Sequence, residues 1–150
     1  MDKKTIAVLR AEMQAQLAEI LHIYERLNER RKKRGKAAAE SIGFQLHNLY
    51  CAYEDLFEMV AERFENHVSD KSKYHIELLK RMTMSIEGVR PFLLSQESFV
   101  LLDNLRAFRH FFRHAYAYDL DERKVRIVLS DALKLKKIYH RDMSRYLDSF

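Results

Sequence analysis

The sequence predicts an all-α protein, an up-and-down bundle of five helices with two long ones at the N-terminus. Three observations predict it. Only 3 Gly and 1 Pro occur in 150 residues, too little material for the tight turns that β-hairpins need. Apolar residues recur at steps of three or four over most of the chain, as in helices with one buried face. A composition that is 47% hydrophobic and 33% charged is globular rather than disordered. The length fits a single domain, 1–150, able to bury roughly 68–70% of the surface its unfolded form exposes. No repeat, low-complexity segment or linker divides it.

In the first helix Ile6, Leu9, Met13, Leu17, Ile20, Tyr24 and Leu27 make one buried stripe, which ends at the charge run NERRKKRGK, Asn28 to Lys36. A Gly after a cationic last turn marks the first bend. The second helix begins near Ala37, carries Ile42, Leu46, Leu49, Tyr53, Leu56, Phe57, Val60 and Phe64 inward, and ends around Asn66 to Ser69. Asp70 or Ser72 is placed to cap the third, KSKYHIELLKRMTMSIEG, which buries Ile76, Leu79, Met82 and Ile86. It stops at Gly88 before Pro91, which cannot continue a helix without losing a hydrogen bond. Ser95 caps a fourth helix through about Tyr118, and the fifth runs from Leu120 to the C-terminus.

A net charge of +5, from 27 basic and 22 acidic residues, permits a polyanionic or acidic partner without demanding one. Cys51 is the only cysteine, which excludes an intramolecular disulfide and a Cys-based zinc framework. The first apolar run stops at Leu9, before Arg10 and Glu12, too short for a signal-peptide core. No run approaches the ~18 apolar residues of a membrane span. A cytoplasmic chain with no membrane partner is expected.

The stretch RHFFRHAYAYD, Arg109 to Asp119, gathers arginines, histidines and tyrosines at the end of the fourth helix. On a helical projection Leu101, Leu105, Phe108, Phe111, Phe112, Ala115 and Tyr118 take the packed side. Leu102, Asp103, Arg106, Arg109, His110, Arg113, His114 and Tyr116 take the opposite one. A merely solvated face mixes Lys and Glu, whereas this one offers Arg to grip phosphate, His to move protons near neutral pH and Tyr as a hydroxyl to be modified. Arg and His together can cleave RNA without metal or other cofactor. His moves a proton to or from the 2′-hydroxyl or the leaving oxygen, and Arg offsets the phosphate charge.

Arg109, His114 and Tyr116 spell R-x4-H-x-Y, with polar His110 directly after the arginine. In this the chain resembles the HEPN superfamily, and within it the HepT toxins of HEPN–MNT toxin–antitoxin pairs. HNLYCAYEDLFEMVAERFE is similar to that family's second helix, YHIELLKRM to its third, and LRAFRHFFRHAYAYDLD to its motif helix. The resemblance implies a HEPN-type five-helix bundle acting as a metal-independent endoribonuclease on cellular RNA, tRNA or mRNA. Arg109 and His114 would be the catalytic pair, with His110 in support. Tyr116 would be the residue adenylylated by a cognate MNT-family nucleotidyltransferase, whose added bulk and charge oppose RNA binding. It also implies a homodimer with two motifs across a cleft. Arg109 and His114 lie about 140° apart on an ideal helix, an arrangement that suits such a composite site.

Arg106 and Arg113 share the motif face as candidates for flanking RNA phosphates. Tyr118 is a second tyrosine near the modification site, placed by projection on the core side. The basic run at 30–36 reads as a solvated bend, with contact to an RNA backbone as the alternative. His22, His47, His67, His75 and His140 form no usable spacing. Met82 and Met84 read as core or interface filler, and Cys51 as a small buried hydrophobe. Two rival functions remain at this level. Asp103, His110 and His114, at spacings of seven and four, describe a three-ligand metal site in a helical bundle, although the neighbouring arginines would repel a cation. The other rival is a bundle that only binds RNA or a protein.

Overall fold

A computed structural model of the chain describes residues 2–65, 73–117 and 119–150. These contain the α-helices α1 (Lys3–Arg30), α2 (Lys36–Phe64), α3 (Tyr74–Arg81), α4 (Gln96–Arg113) and α5 (Glu122–Asp148), with a 3-10 turn at Ala115–Ala117 between the last two. No β-strand occurs among the described residues, so the all-α expectation holds. The expected caps at Asp70 and Ser72, and Tyr118, lie outside the described residues. The second helix, expected to end around 66–69, stops at Phe64: Glu65 turns to extended backbone and closes the last turn through its N–H to the Ala61 carbonyl at 2.7 Å.

The α1 stripe buries Leu9, Met13, Ile20, Tyr24 and Leu27 as expected, with Ile6 and Leu17 half-buried at its margin. The turn after α1 bends at Gly35, whose φ of +100° is one that L side chains rarely adopt. So short a connection makes α1 and α2 antiparallel neighbours. Helix α2 packs against each of the other four. For that reason its buried set, including Ile42, Leu46, Leu49, Tyr50, Tyr53, Leu56, Phe57 and Val60, covers more of its circumference than one stripe. At the centre the Tyr24 and Tyr53 hydroxyls meet at 2.7 Å and the Tyr24 ring stacks on Tyr139 with centroids 5.9 Å apart.

The third helix is shorter than its apolar spacing predicts. It ends at Arg81 rather than Gly88, leaving Ile86 half-buried in an isolated bridge with Arg90, while Ile76 is half-buried and Leu78 takes the core position. The cause is a long-range cap. The buried Arg90 guanidinium donates to the carbonyls of Arg81 at 3.1 Å, Met84 at 2.9 Å and Pro91 at 3.1 Å, and to Glu65 Oε1 through Nε at 2.6 Å. The Met82 carbonyl accepts instead from the backbone of Leu93 and Leu94. These bonds satisfy the last carbonyls of α3, so the helix has no need of a further turn.

Helix α4 starts where expected. Ser95 caps it by accepting from the Ser98 backbone at 3.3 Å, and buried Asp142 of α5 accepts from the Ser95 backbone, the Ser95 hydroxyl and the Ser98 hydroxyl at 3.1, 3.0 and 2.6 Å. The far end differs from expectation. The helix stops at Arg113, and the His114 N–H turns back to the Phe111 carbonyl at 3.1 Å, tightening the last turn toward 3-10 geometry. The packed arc is also rotated, because α2, α3 and α5 all press on α4. Leu102, expected on the polar side, is fully buried, and Phe111, expected in the core, is 42% exposed.

Candidate active site at the end of the fourth helix

The end of α4 is set by a close approach to α2. Gly43 lacks a side chain where one would meet Phe112 at 3.0 Å and Leu120 at 3.1 Å, so the two helices draw together at that level. One turn further along α2, the half-buried His47 ring lies 5.6 Å from the Phe112 ring. Another turn on, Tyr50 is buried. Opposite this column α4 presents Arg113, Arg109 and Arg106. The charges of Arg109 and Arg113 act on His47, and those of Arg106 and Arg109 act on Tyr50.

The motif residues therefore do not share one solvent face. Arg109 is half-buried against α2, and its Nε is buried with no hydrogen-bond partner among the described residues. His110 and His114 are exposed and stand together, ring centroids 4.7 Å apart. Tyr116 projects from the 3-10 turn and is 92% exposed. Arg113 is exposed, whereas Arg106 is engaged by Asp103, its Nε and Nη2 each 2.8 Å from Oδ1.

That ion pair also takes Asp103 away from the three-ligand metal reading. Among the described residues no group of three His, Cys, Asp or Glu side chains is placed to hold a metal ion, so Asp103, His110 and His114 are not gathered as their spacing suggested.

His47 is the residue that spacing arguments missed. It sits beside the motif rather than among scattered histidines. Burial first, then the positive charges of Arg109 and Arg113, hold its pKa below the ordinary 6.5, while the hydrogen bond with Asn48 Oδ1 opposes them. The ring is thus kept neutral at neutral pH, able to accept a proton. Cys51, expected as a buried hydrophobe, is half-buried one turn away with its Sγ 4.0 Å from His47 Nε2. Burial also raises the Tyr50 phenol, with Arg106 and Arg109 pulling the other way. In sequence, the one available signal was that His47 stands one helical turn after Gly43 and one before Tyr50.

An all-α bundle whose fourth helix closes on a turn of Arg, His and Tyr, with the arginine pressed against the second long helix, is a protein of the HEPN class. The family model described as HepT-like protein matches residues 41–150, most of the chain and all of the motif. The chain belongs to the HepT-like family. The match begins inside α2 and leaves α1 and the basic turn outside it. No curated protein and no solved structure matches the chain. No helix among the described residues is long and apolar enough to cross a membrane.

Proposed function

We propose that the chain is the toxin of a HEPN–MNT pair, a cytoplasmic, metal-independent endoribonuclease that a cognate nucleotidyltransferase silences by adenylylating Tyr116. The observation that carries this reading is the placement of Arg109, with its unpartnered Nε, beside two exposed, touching histidines and a fully presented tyrosine. Arginine forks grip phosphate, and the histidines next to it can shuttle protons. In the reaction the RNA 2′-oxygen bonds to phosphorus as its proton passes to a histidine. The bond from phosphorus to the 5′-oxygen breaks, and that oxygen takes up a proton. The products are a 2′,3′-cyclic phosphate and a 5′-hydroxyl end. Arg109 and His114 act directly, His110 supports His114, and Arg113 binds a flanking phosphate; Arg106, paired with Asp103, is less available for that role.

Tyr116 suits a modifying partner because its hydroxyl is reachable without unfolding anything. Its oxygen bonds to the α-phosphorus of ATP, pyrophosphate leaves, and the phenol proton goes to the partner's base. The adduct sets a negative phosphate beside the histidines, where it competes with RNA.

A homodimer fits an apolar groove of about 440 Å³ between α4 and α5, lined in part by Phe108, Phe111, Ile127 and Val128. Phe111 and Ile127, 42% and 64% exposed, lie next to the motif and would be covered by a second copy.

The test is incubation of the purified protein with total cellular RNA in excess EDTA, wild type against His114→Ala, read on a sequencing gel. Cleavage by the wild type alone supports the reading. Cleavage by both, or only when metal is added back, overturns it.

A further inference from the structure

On the side of the bundle formed by α1 and α5 lies an open groove of about 700 Å³ that the proposed reaction does not use. The turn after α1 supplies Arg31, Lys32 and Arg34 to it, and α5 supplies Arg126, Lys134 and Lys137. On α5 these follow helical spacing, so the stripe from Arg126 to Lys137 runs along one side for about 16 Å. Leu129 and Leu133 line it between the charges, and Lys136, also at the groove, stands 5.8 Å from the centre of the Tyr24 ring. No carboxylate lines the groove among the described residues. Among the described residues Arg126 alone of its cations is in an ion pair there, with Glu122 at 3.5 Å.

The groove is built rather than incidental. Arg126 reaches across it and donates to the carbonyl of Arg31 at 2.6 Å and to that of Lys33, which pins the basic turn to α5. Glu122 Oε1 accepts from the Gly35 N–H at 3.3 Å, and Lys36 pairs with Asp119 at 3.5 Å. The same bonds locate the groove. Asp119 lies just beyond the motif in the chain, so the basic turn and the end of α4 are at one end of the bundle. Apart from Arg126, which faces Glu122, the cations of the groove repel one another with no carboxylate between them. A polyanion laid along the groove removes that repulsion and releases its own counterions.

We infer that this groove is a second binding site, for the phosphodiester backbone of RNA, which it feeds toward the motif at the same end of the bundle. The choice of RNA among polyanions rests on the ribonuclease reading; the site itself rests on the groove. The run at 30–36 is then half of a site whose other half is folded in from α5, rather than a solvated bend. A strand held here is gripped by charge and not by base edges, so binding is indifferent to sequence and steep in salt.

The experiment uses a short fluorescent RNA with every 2′-oxygen methylated, which binds but cannot be cut, and reads anisotropy over a salt series. The triple variant Lys32→Gln, Lys134→Gln, Lys137→Gln is compared with wild type and with the triple Lys→Arg variant. Expected is at least about tenfold weaker binding at low salt for the Gln variant, a log–log salt slope shallower by about 2, and wild-type behaviour for the Arg variant. The Gln variant should melt no lower than wild type, because it loses only repulsion. Equal affinity and slope in all three proteins, or no RNA binding by any of them at low salt, overturns the inference; the second result would point to an acidic protein surface instead. Cleavage of unmodified RNA is scored separately. Groove-dependent binding without His114-dependent cleavage removes the ribonuclease reading and leaves the groove, and the reverse pattern removes the groove alone.

Discussion

If Arg109 grips the reacting phosphate as proposed, charge alone is not enough there. Lysine keeps the charge but presents a point where arginine presents a planar fork. Arg109→Lys should therefore lower kcat/KM for RNA cleavage by about 10²–10³-fold, the loss typical of removing one transition-state donor. Arg113→Lys, at an exposed position, should cost far less. Equal rates for Arg109→Lys and wild type in EDTA would show that a diffuse charge suffices and would remove Arg109 from the reacting phosphate. His47 makes a different prediction. Its pKa is depressed below 6.5 by burial and by Arg109 and Arg113, so the folded chain resists protonation that the unfolded chain accepts. Its contribution to stability is complete above pH 6.5 and is lost as pH falls from there toward the folded pKa. Thermal unfolding of His47→Gln should be less sensitive to pH over that window, and an unchanged slope would detach His47 from the arginines. Arg109 and His114 can be named as candidates from sequence because they are neighbours in it. His47 cannot, because what gives it meaning is a contact between two helices.

At the level of elements, Gly43 decides how closely α2 meets the end of α4. Alanine there gains about 0.5–1 kcal/mol of helix preference, but its Cβ would stand 3.0 Å from the Phe112 ring edge and 3.1 Å from Leu120. The two effects should nearly cancel in stability at Gly43→Ala. At Gly43→Val, strain should win, by the ~1–3 kcal/mol usual for overpacking. Both variants displace Phe112, which adjoins Arg113 in the chain, so cleavage should fall even where the melting temperature does not. A loss of cleavage only in step with melting would make Gly43 a packing residue and nothing more. The same scale shows where sequence reading stops. Helix α1 is legible because its stripe repeats without rival, and α2 because its apolar spacing runs unbroken from Ile42 to Val60, although it buries more than one stripe. The third helix is shorter than its spacing predicts because Met82 and Ile86 keep the apolar rhythm past Arg81, while the cap that ends it comes from Arg90, held by Glu65, and neither residue belongs to that rhythm. The fourth is also shorter, and its face rotated, for a related reason: one helix's projection takes no account of three neighbours.

For the whole molecule the question is whether Arg109 and His114 meet within one chain or across two. Within one chain Arg109 turns toward α2 while His114 stands exposed with His110, and the apolar groove beside them offers a face for a second copy. If Arg109 of one protomer works with His114 of the other, two inactive variants should rescue each other. In a co-expressed mixture of Arg109→Ala and His114→Ala, half of the dimers are mixed and each mixed dimer keeps one intact site, so activity should return to about a quarter of wild type. Phe111→Glu with Ile127→Glu in both chains should abolish that rescue and give monomers in sedimentation. A dimer that gives no rescue would place both groups in one chain, served by motion of the turn that carries His114. Rescue that survives the charged face would move the interface elsewhere. If the proposed dimer forms, adenylylation of Tyr116 on one chain should silence the site that its neighbour's Arg109 completes, so intact mass read against residual activity would count how many sites each adduct closes.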